Sequence, residues 1–259
     1  MVINKNSTTL HNYDTIALAE MDSVKLMDRT DVKYMFHSNL LANILEDLQP
    51  HYRVLEINNQ RLCPYQTLYF DTPDLALYHA HRSNRLNRYK VRFRNYVGSD
   101  LSFFEVKFKN NKGRTIKKRI ARAEQPDKYL NTENALFLSQ KSELDPALLQ
   151  AIMWVDYDRI TLVSRHTPER VTIDLNLTFR NNTQQKNYEN LVIAEVKQQK
   201  MSSSVLIDVL KKYQIREGSI SKYCFGIVSL FPDVKQNNFK RHLRRVERVL
   251  TVGQATDMV

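Results

Sequence analysis

The chain of 259 residues is strongly basic, with a formal net charge of +11 at neutral pH. Its hydrophobic content of 42% is that of a folded protein and excludes wholesale disorder. Its two cysteines, Cys63 and Cys224, lie far apart and match no zinc or redox spacing, which argues against a disulfide framework. No apolar run approaches the ~18 residues of a membrane span, and the first residues lack the apolar stretch of a signal peptide, so we expect a soluble, cytoplasmic protein.

The first part of the chain predicts a mixture of helices and strands. We predict a short helix in "TIALAEM" and a strand in "DRTDVKYMFH", with Arg29, Asp31 and Lys33 on its polar face. "SNLLANILEDLQP" predicts an amphipathic helix with Ser38 as its N-cap. "YQTLYFDT" follows as a strand that ends in a turn, and "LALYHAHRSN" predicts one or two helical turns.

The middle of the chain predicts three charged strands that form a meander. "NRYKVRFRNYVG", "LSFFEVKFKNN" and "RTIKKRIAR" alternate polar and apolar residues and are separated by glycine-containing turns. A helical interval spans about residues 126 to 150, and strands resume in "YDRITLVSR", "ERVTIDLNLTFRNN" and "YENLVIAEVKQQ". Two helices follow, in "SSSVLIDVLKKYQI" and "SISKYCFGIVSLFP". Seven or eight strands with little glycine favour a barrel or a strongly curved sheet.

The polar faces of these strands carry far more positive charge than a solvated surface needs. Basic residues recur at two-residue spacing, so that like charges lie about 7 Å apart on one face and repel. Arginine binds phosphate bidentately and lysine adds a mobile point charge, so such stacks suit a ligand that carries several phosphates in a row. The residues concerned are Lys33, Lys90, Arg92, Arg94, Lys107, Lys109, Arg114, Lys117 or Lys118, Arg119, Arg159, Arg170 and Lys197.

Carboxylates on the same faces indicate a divalent cation. Phosphoryl transfer needs a cation to neutralise the phosphate oxygens, and Glu195, Glu105 or Asp174 offers the hard oxygen ligands that Mg²⁺ or Mn²⁺ prefers. The alternative is that Glu105 and Asp174 balance charge, and that Glu195 forms an ion pair with a nearby arginine. "NKGRT" lacks the spacing of a Walker motif, so the chain has no P-loop signature.

In order along the chain, several segments resemble the VTC domain, the polyphosphate polymerase domain of the vacuolar transporter chaperone family, within the triphosphate tunnel metalloenzymes. They are "RTDVKYMF", "LYFDTPDLALYHAHR", "RYKVRFRNY", "FFEVKFKNNKGRTIKKRI", "YDRITLVS", "RVTIDLNLTF", "IAEVKQ" and "SISKYCFG". The resemblance implies an α+β fold, an antiparallel β-barrel tunnel with flanking helices, in which the polar face points inward. The implied tunnel domain spans residues 1–235 with its core at about 12–232, followed by a basic C-terminal segment, 236–259.

The resemblance also implies roles for individual residues. Contacts to the triphosphate or the product chain fall to Lys33, Arg92, Arg94, Lys107, Arg159, Arg170 and Lys222, with further substrate contacts from Arg82, Arg88, Lys90, Lys109 and Lys117. Glu195, and secondarily Glu105, would bind Mn²⁺ or Mg²⁺. The hydrolase branch of the superfamily opens with Glu-x-Glu-x-Lys, whereas this chain has Arg29-Thr30-Asp31-Val32-Lys33, as in the polymerase branch.

Three functions therefore remain as expectations. The first is a polyphosphate polymerase that transfers the γ-phosphoryl group of ATP to a growing polyphosphate chain. The second is a triphosphatase in the same tunnel, and the third is a module that only binds polyphosphate or nucleic acid. Nucleic acid is disfavoured because no aromatic residues interleave the basic faces for base stacking.

The C-terminal segment "KQNNFKRHLRRVERVL" predicts a basic amphipathic helix, with Phe239, Leu243, Val246 and Leu250 at helical spacing. Such a helix packs on its own domain, binds a partner protein, or lies on an anionic membrane surface. The last use would make the protein peripheral to a membrane.

Overall fold

The computed structural model describes residues 9–24, 30–99, 101–124, 127–198, 203–218 and 220–256. The strands are β1 (Thr15–Ala17), β2 (Thr30–His37), β3 (Tyr52–Glu56), β4 (Cys63–Asp71), β5 (Arg88–Tyr96), β6 (Leu101–Lys109), β7 (Thr115–Ala121), β8 (Gln150–Ser164), β9 (Glu169–Arg180), β10 (Gln185–Tyr188) and β11 (Leu191–Gln198). The α-helices are α1 (Leu41–Leu48), α2 (Ala76–Arg82), α3 (Thr132–Lys141), α4 (Val205–Lys212), α5 (Lys222–Leu230) and α6 (Lys240–Thr256).

One sheet joins these strands, in the main order β2-β11-β9-β8-β4-β5-β6-β7. All neighbours on this path are antiparallel, and β1 pairs parallel to β3 beside it. Lys33 Nζ on β2 donates to Ile220 O at 3.4 Å and Lys90 Nζ on β5 donates to Ser221 Oγ at 3.2 Å, so both strands approach the start of α5 although four strands separate them in the sheet. The sheet is therefore strongly curved and barrel-like, which confirms the predicted α+β fold with a large antiparallel sheet.

The sheet differs from a closed barrel at its two ends, because β2 and β7 do not pair in the described part of the chain. The free edge of β2 is instead occupied by the segment before α5: Gly218 N donates to Lys33 O at 2.8 Å, and Tyr34 bridges Glu217. Strand β7 is almost wholly exposed and is rich in lysine, which discourages pairing of a free edge with another chain.

Helices cover the convex side of the sheet and pack against its apolar residues. Helices α1 and α4 lie over β2, β11, β9 and β8, and α3 lies over β5 and β6. The predicted apolar stripe of α1 is confirmed, since Leu41, Ile44, Leu45 and Leu48 are all fully buried. Burying such side chains contributes about 1.5–3 kcal/mol each.

Two local predictions in the first third of the chain are wrong. Ser38 does not cap α1, because a 3-10 turn, Ser38–Leu40, precedes the helix and the Ser38 hydroxyl donates to Asn190 Oδ1. "TIALAEM" forms strand β1 and the start of a 3-10 helix, Leu18–Val24, instead of an α-helix. Pairing of Ile16 with Leu55 on β3 overrides the local helical propensity of this segment.

The concave side of the sheet is divided into an apolar half and a charged half. Helix α5 packs against the apolar half, where Met153 and Phe179 face Phe225 and Ile227. Gly226 permits this approach, because a Cβ atom there would lie 2.7 Å from Met153 Sδ and 2.7 Å from Phe179 Cδ1. The charged half of the concave side carries polar side chains.

Strand β9 changes face at Asn176, whose φ of 52° is left-handed. Before it, Ile173 and Leu175 belong to the convex core, whereas Leu177 and Phe179 after it belong to the concave core. The alternation of polar residues along β9 predicts that Arg170, Thr172, Asp174, Asn176, Thr178 and Arg180 share one face, and the reversal at Asn176 shows that this is wrong beyond Asp174. Asn tolerates a left-handed backbone, and Asn176 Nδ2 donates to Asp158 Oδ2 at 2.7 Å.

The basic C-terminal helix α6 packs on its own domain. Val246 is buried, and Phe239, Leu243, Val249 and Leu250 are partly buried against the concave core that includes α5. Among the described residues, no helix has the length and apolar character that crossing a membrane requires. The domain division at residue 235 stays a prediction.

Candidate functional site in the charged half of the concave face

Eight neighbouring strands contribute polar side chains to the charged half of the concave face. Cross-strand register brings them together: Glu195 lies between Lys33 and Thr172, and Lys107 lies between Lys90 and Lys117. The alternation of the strands therefore places most of the predicted residues on one surface. Its charged members are Asp31, Lys33, Lys90, Arg92, Arg94, Glu105, Lys107, Lys109, Lys117, Arg119, Arg159, Arg170, Asp174, Glu195 and Lys197.

Glu105 is the centre of the first cluster and is fully buried. Its Oε2 accepts from Arg92 Nε at 2.6 Å, and its Oε1 is paired with Lys117. Burial alone would raise the pKa of Glu105, but Arg92, Arg94 and Lys117 hold that pKa well below its usual range. Both oxygens are thus engaged by cations, which favours charge balance. Metal binding by Glu105 stays a prediction that the geometry does not favour.

Asp174 is the centre of the second cluster. Arg159 binds it bidentately, with Nε at 2.6 Å from Oδ1 and Nη2 at 2.8 Å from Oδ2, and Lys222 also donates to Oδ2. Burial opposes ionisation here too, yet Arg159 and Lys222 hold the pKa of Asp174 well below its usual range. Asp174 therefore fixes the position of two basic side chains that come from different elements, β8 and α5.

Glu195 is the most accessible of these three carboxylates, with 17% of its side chain exposed. Its Oε2 lies 2.6 Å from Lys197 Nζ, and its Oε1 lies 4.0 Å from Lys33 Nζ. Burial alone would raise the pKa of Glu195, but Lys197 and Lys33 hold that pKa well below its usual range. Because Oε1 has only this distant partner among the residues that the structure describes, it is the carboxylate oxygen best placed to take a further ligand.

Three lysines form one row across β5, β6 and β7, and of these Lys117 alone is paired with a carboxylate, Glu105, in the described part of the chain. Lys90 faces Lys107, and Lys107 faces Lys117. Arg92, followed by burial, lowers the pKa of Lys107 well below its ordinary value. Burial lowers the pKa of Lys90, and burial also lowers the pKa of Lys117 to about 8 although Glu105 opposes this. An anionic ligand at this row would relieve the repulsion.

Two tyrosines, Tyr69 and Tyr157, complete the site, and neither was among the residues predicted for it from the sequence. The Tyr157 hydroxyl is buried and has no hydrogen-bond partner in the described residues, while Lys222 Nζ lies 4.6 Å from the centre of its ring. The hydroxyl of Tyr69 accepts from Arg92 Nη1 at 3.3 Å. Burial alone would raise the pKa of Tyr69, but Arg92, Arg94 and Lys90 lower it. Alternation along β8, where Tyr157 precedes Arg159 by two residues, was the available signal for Tyr157.

Helix α5 directs its first turn at the site. Lys222 reaches Asp174 as described, and the N-cap residue Ser221 accepts from Lys90 Nζ at 3.2 Å. Within the sheet, Arg94 Nε on β5 donates to Thr67 Oγ1 on β4 at 3.3 Å. The N-terminal end of a helix carries partial positive charge, so α5 adds to the attraction for an anion.

The weaker predicted contacts are placed differently. Lys109 pairs in register with Arg88 at the end of the face, and Arg88 Nε donates to His81 Nδ1 at 3.1 Å. Burial, followed by Lys90, lowers the pKa of His81 to about 3, so its imidazole is neutral. Arg82 is the last residue of α2, and it lines a cavity beside that helix instead of lying on a strand of the sheet. Arg29 falls outside the described residues.

The donor set fits a hard divalent cation held together with its substrate. In the described part of the chain no three His, Cys, Asp or Glu residues are grouped to hold a metal by themselves. Mg²⁺ in phosphate-transferring sites is bound by one or two carboxylates and by substrate phosphates, and keeps several waters. Glu195 Oε1 would provide one such ligand, beside a surface whose basic residues would attract phosphate. The site is therefore suited to a metal that arrives with its phosphate ligand.

Comparison with known proteins identifies the family. The family model of the VTC domain matches residues 28–231, which is most of the chain. No curated protein matches.

Among solved structures, a putative adenylate cyclase of Bacillus halodurans is 13% identical at a TM-score of 0.46, over 75% of this chain and 96% of that one. A putative adenylyl cyclase of Hippeastrum, described as having dominant triphosphatase activity, is 14% identical at a TM-score of 0.49, over 78% of this chain and 96% of that one. Likenesses this remote do not bear on activity. The match of the family model along most of the chain is sufficient: this chain belongs to the VTC domain family.

Proposed function

We propose that this protein is a metal-dependent polyphosphate polymerase that transfers the γ-phosphoryl group of ATP to a growing phosphate chain. The observation that carries the proposal is the excess of positive charge along the concave face. Glu105, Asp174 and Glu195 are each held by two basic groups, yet Lys107 still has a strongly lowered pKa. A continuous polyanion satisfies such a row better than a single phosphate, because successive phosphates lie along it.

The basic residues would bind and orient the phosphates. Arg92, Arg94 and Lys107 lie in adjacent strands and would hold one part of the phosphate chain, while Arg159 and Lys222 would hold another. Lys33 would border the carboxylate Glu195, and Arg170 would lie opposite Lys197 on the neighbouring strand. Phosphoryl transfer relies on positioning and on neutralisation of charge, and both are functions of fixed arginine and lysine side chains.

Mn²⁺ or Mg²⁺ would be held by Glu195 together with phosphate oxygens. When bound, the cation would neutralise charge on the reacting phosphates and help to hold them in line. The protein's own contribution at this point is the position of Glu195, which Lys197 fixes through Oε2 while Oε1 faces the more distant Lys33.

The test uses purified protein with ATP and Mn²⁺, with polyphosphate followed on a gel and free phosphate measured in the same reaction. Long chains and ADP are the expected products. Free phosphate without chains would replace the polymerase by a triphosphatase. Absence of both products with either Mn²⁺ or Mg²⁺ would leave a binding module.

A charge reversal tests whether the concave face is the site. Arg94→Glu should abolish chain formation while the protein stays folded, because Arg94 lies among the cations that face Lys107 and Glu105. Lys141→Glu, at the exposed end of α3, changes the net charge equally and should keep full activity. Full activity of Arg94→Glu would refute the assignment.

A further inference from the structure

A cavity of about 570 Å³ lies outside the concave face, between α2 and the segment 233–235 that follows α5. Its charged lining comes from both elements and holds three cations and two carboxylates. The charged and titratable residues that line it are Asp74, His79, Arg82, Arg85, Asp233 and Lys235.

The cations of this cavity, Arg82, Arg85 and Lys235, outnumber its carboxylates, Asp74 and Asp233, by three to two. In the described part of the chain, neither Arg82, Arg85 nor Lys235 forms an ion pair with a carboxylate. Arg82 Nε is buried and has no hydrogen-bond partner among the described residues. A buried guanidinium N–H without an acceptor is unfavourable, and an anion in the cavity would supply the acceptor.

The walls of the cavity are fixed through main-chain atoms. Asn238 Nδ2 donates to Arg82 O at 2.9 Å, and the Tyr78 hydroxyl donates to Lys235 O at 2.8 Å. These bonds hold α2 against the segment after α5 without using the charged ends of Arg82 and Lys235. The two side chains can therefore be changed while the contacts that close the cavity are kept.

A short basic path connects the cavity with the concave face. Arg88 begins β5, the strand that carries Lys90, Arg92 and Arg94 on the concave face. Arg88 Nη1 donates to Arg85 O at 2.6 Å, and Arg85 lines the cavity. The cavity thus borders the end of the concave face at which β5 starts.

We propose that this cavity is a second phosphate-binding site, which takes the end of a phosphate chain that extends past Arg88. The proposal rests on the proposed function, since it requires a ligand longer than the concave face holds. It predicts that affinity rises with chain length. A short triphosphate would occupy the concave face alone, whereas a longer chain would also reach Arg82, Arg85 and Lys235.

The experiment measures binding by calorimetry in EDTA, where no turnover occurs. The probes are tripolyphosphate, orthophosphate, and a size-fractionated polyphosphate several times longer than tripolyphosphate. The double variant Arg82→Gln, Lys235→Gln should bind the long chain about tenfold more weakly, as expected for the loss of two charge-assisted contacts, and should bind tripolyphosphate with unchanged affinity. The control pair Lys112→Gln, Lys141→Gln removes two exposed lysines elsewhere and should bind both as the wild type does.

Each outcome of this experiment supports or overturns the proposal. Unchanged affinity of the double variant for the long chain would overturn the proposal, and so would an equal loss for both polyphosphates, since the cavity would then not be separate. Orthophosphate that competes fully with the long chain at the cavity would show a site for free phosphate instead. Wild type that binds the long chain but not tripolyphosphate would refute the proposed function, yet loss of that binding in the double variant would still support the cavity.

Discussion

Glu105 and Arg92 form an ion pair at the bottom of the concave face, with Arg92 Nε 2.6 Å from Oε2 of a carboxylate that is wholly inaccessible to solvent. Such a pair adds little net stability, but removal of one partner leaves the other charge buried and uncompensated. Arg94, Lys107 and Lys117 lie around the same carboxylate, so the consequence of removing it extends beyond Arg92.

We therefore predict that Glu105→Gln destabilises the ligand-free protein by about 3–5 kcal/mol. Tripolyphosphate should recover part of this loss, because the anion replaces the missing negative charge among the arginines and lysines. Urea unfolding with and without tripolyphosphate measures both effects. Glu189→Gln, an exposed carboxylate on the turn before β11, is the matched control and should change neither quantity. A variant as stable as the wild type would contradict the prediction.

Glu195 and Glu105 should differ in their effect on metal dependence. Loss of a carboxylate ligand should raise the Mn²⁺ concentration for half-maximal activity of Glu195→Gln by about tenfold or more. Glu105→Gln should lower activity without a comparable shift, because both Glu105 oxygens are already paired with Arg92 and Lys117. Tripolyphosphate binding in EDTA should not weaken in Glu195→Gln, since a negative charge has been removed. Equal metal dependence of Glu195→Gln and the wild type would reject Glu195 as a ligand.

Lys117 should couple stability to pH. Its pKa is about 8 in the folded protein and ~10.4 when unfolded, so between these values the unfolded chain binds more protons and the Lys117 contribution to stability rises with pH. Cys63 and Cys224, whose pKa values burial raises, change stability in the opposite direction. The comparison with Lys117→Met removes their effect, since both proteins keep both thiols.

We expect the free energy of unfolding of Lys117→Met, relative to wild type, to fall as pH rises from about 7.5 to about 9.5. Urea unfolding at low ionic strength over this interval is the measurement. A difference between the two proteins that is independent of pH would mean that the Lys117 amine titrates normally in the folded protein.

Gly226→Ala should displace α5 from the concave face. The added methyl group would lie 2.7 Å from Met153 Sδ and from Phe179 Cδ1, and overpacking of this kind costs about 1–3 kcal/mol. Alanine favours a helix over glycine by about 1 kcal/mol, so a net loss of stability means that the clash dominates. Activity should fall by more than the smaller fraction of folded protein explains, because Ser221 and Lys222 begin the same helix. A more stable variant would contradict the close packing.

Local patterns in the sequence were sufficient for the elements whose environment is simple. The meander of β5, β6 and β7 follows from strict alternation, and α1 follows from apolar spacing and full burial of its stripe. The same alternation selects Lys117 over Lys118 for the concave face, since Lys117 lies opposite Lys107 and Lys118 opposite Val106. Sequence alone had left the two open.

Contacts between distant segments were not readable in this way. The contact between the Tyr157 ring and Lys222 Nζ joins residues that lie far apart in sequence. It forms because α5 packs on the concave face. Arg82 was expected among the tunnel residues, yet α2 places it in the neighbouring cavity. Strand β1 depends on pairing with β3, which a helical propensity in seven residues does not reveal.

The left-handed residue Asn176 marks the point at which β9 stops contributing to the charged surface. Before Asn176, β9 contributes Arg170, Thr172 and Asp174 to the charged surface. After Asn176, it contributes Leu177 and Phe179 to the apolar surface on which α5 packs. The site therefore has a fixed depth that a single backbone conformation sets. A change that moved this reversal toward the end of β9 would extend the charged groove by one alternate residue at a time, so the backbone conformation at Asn176 limits how far the groove reaches along β9.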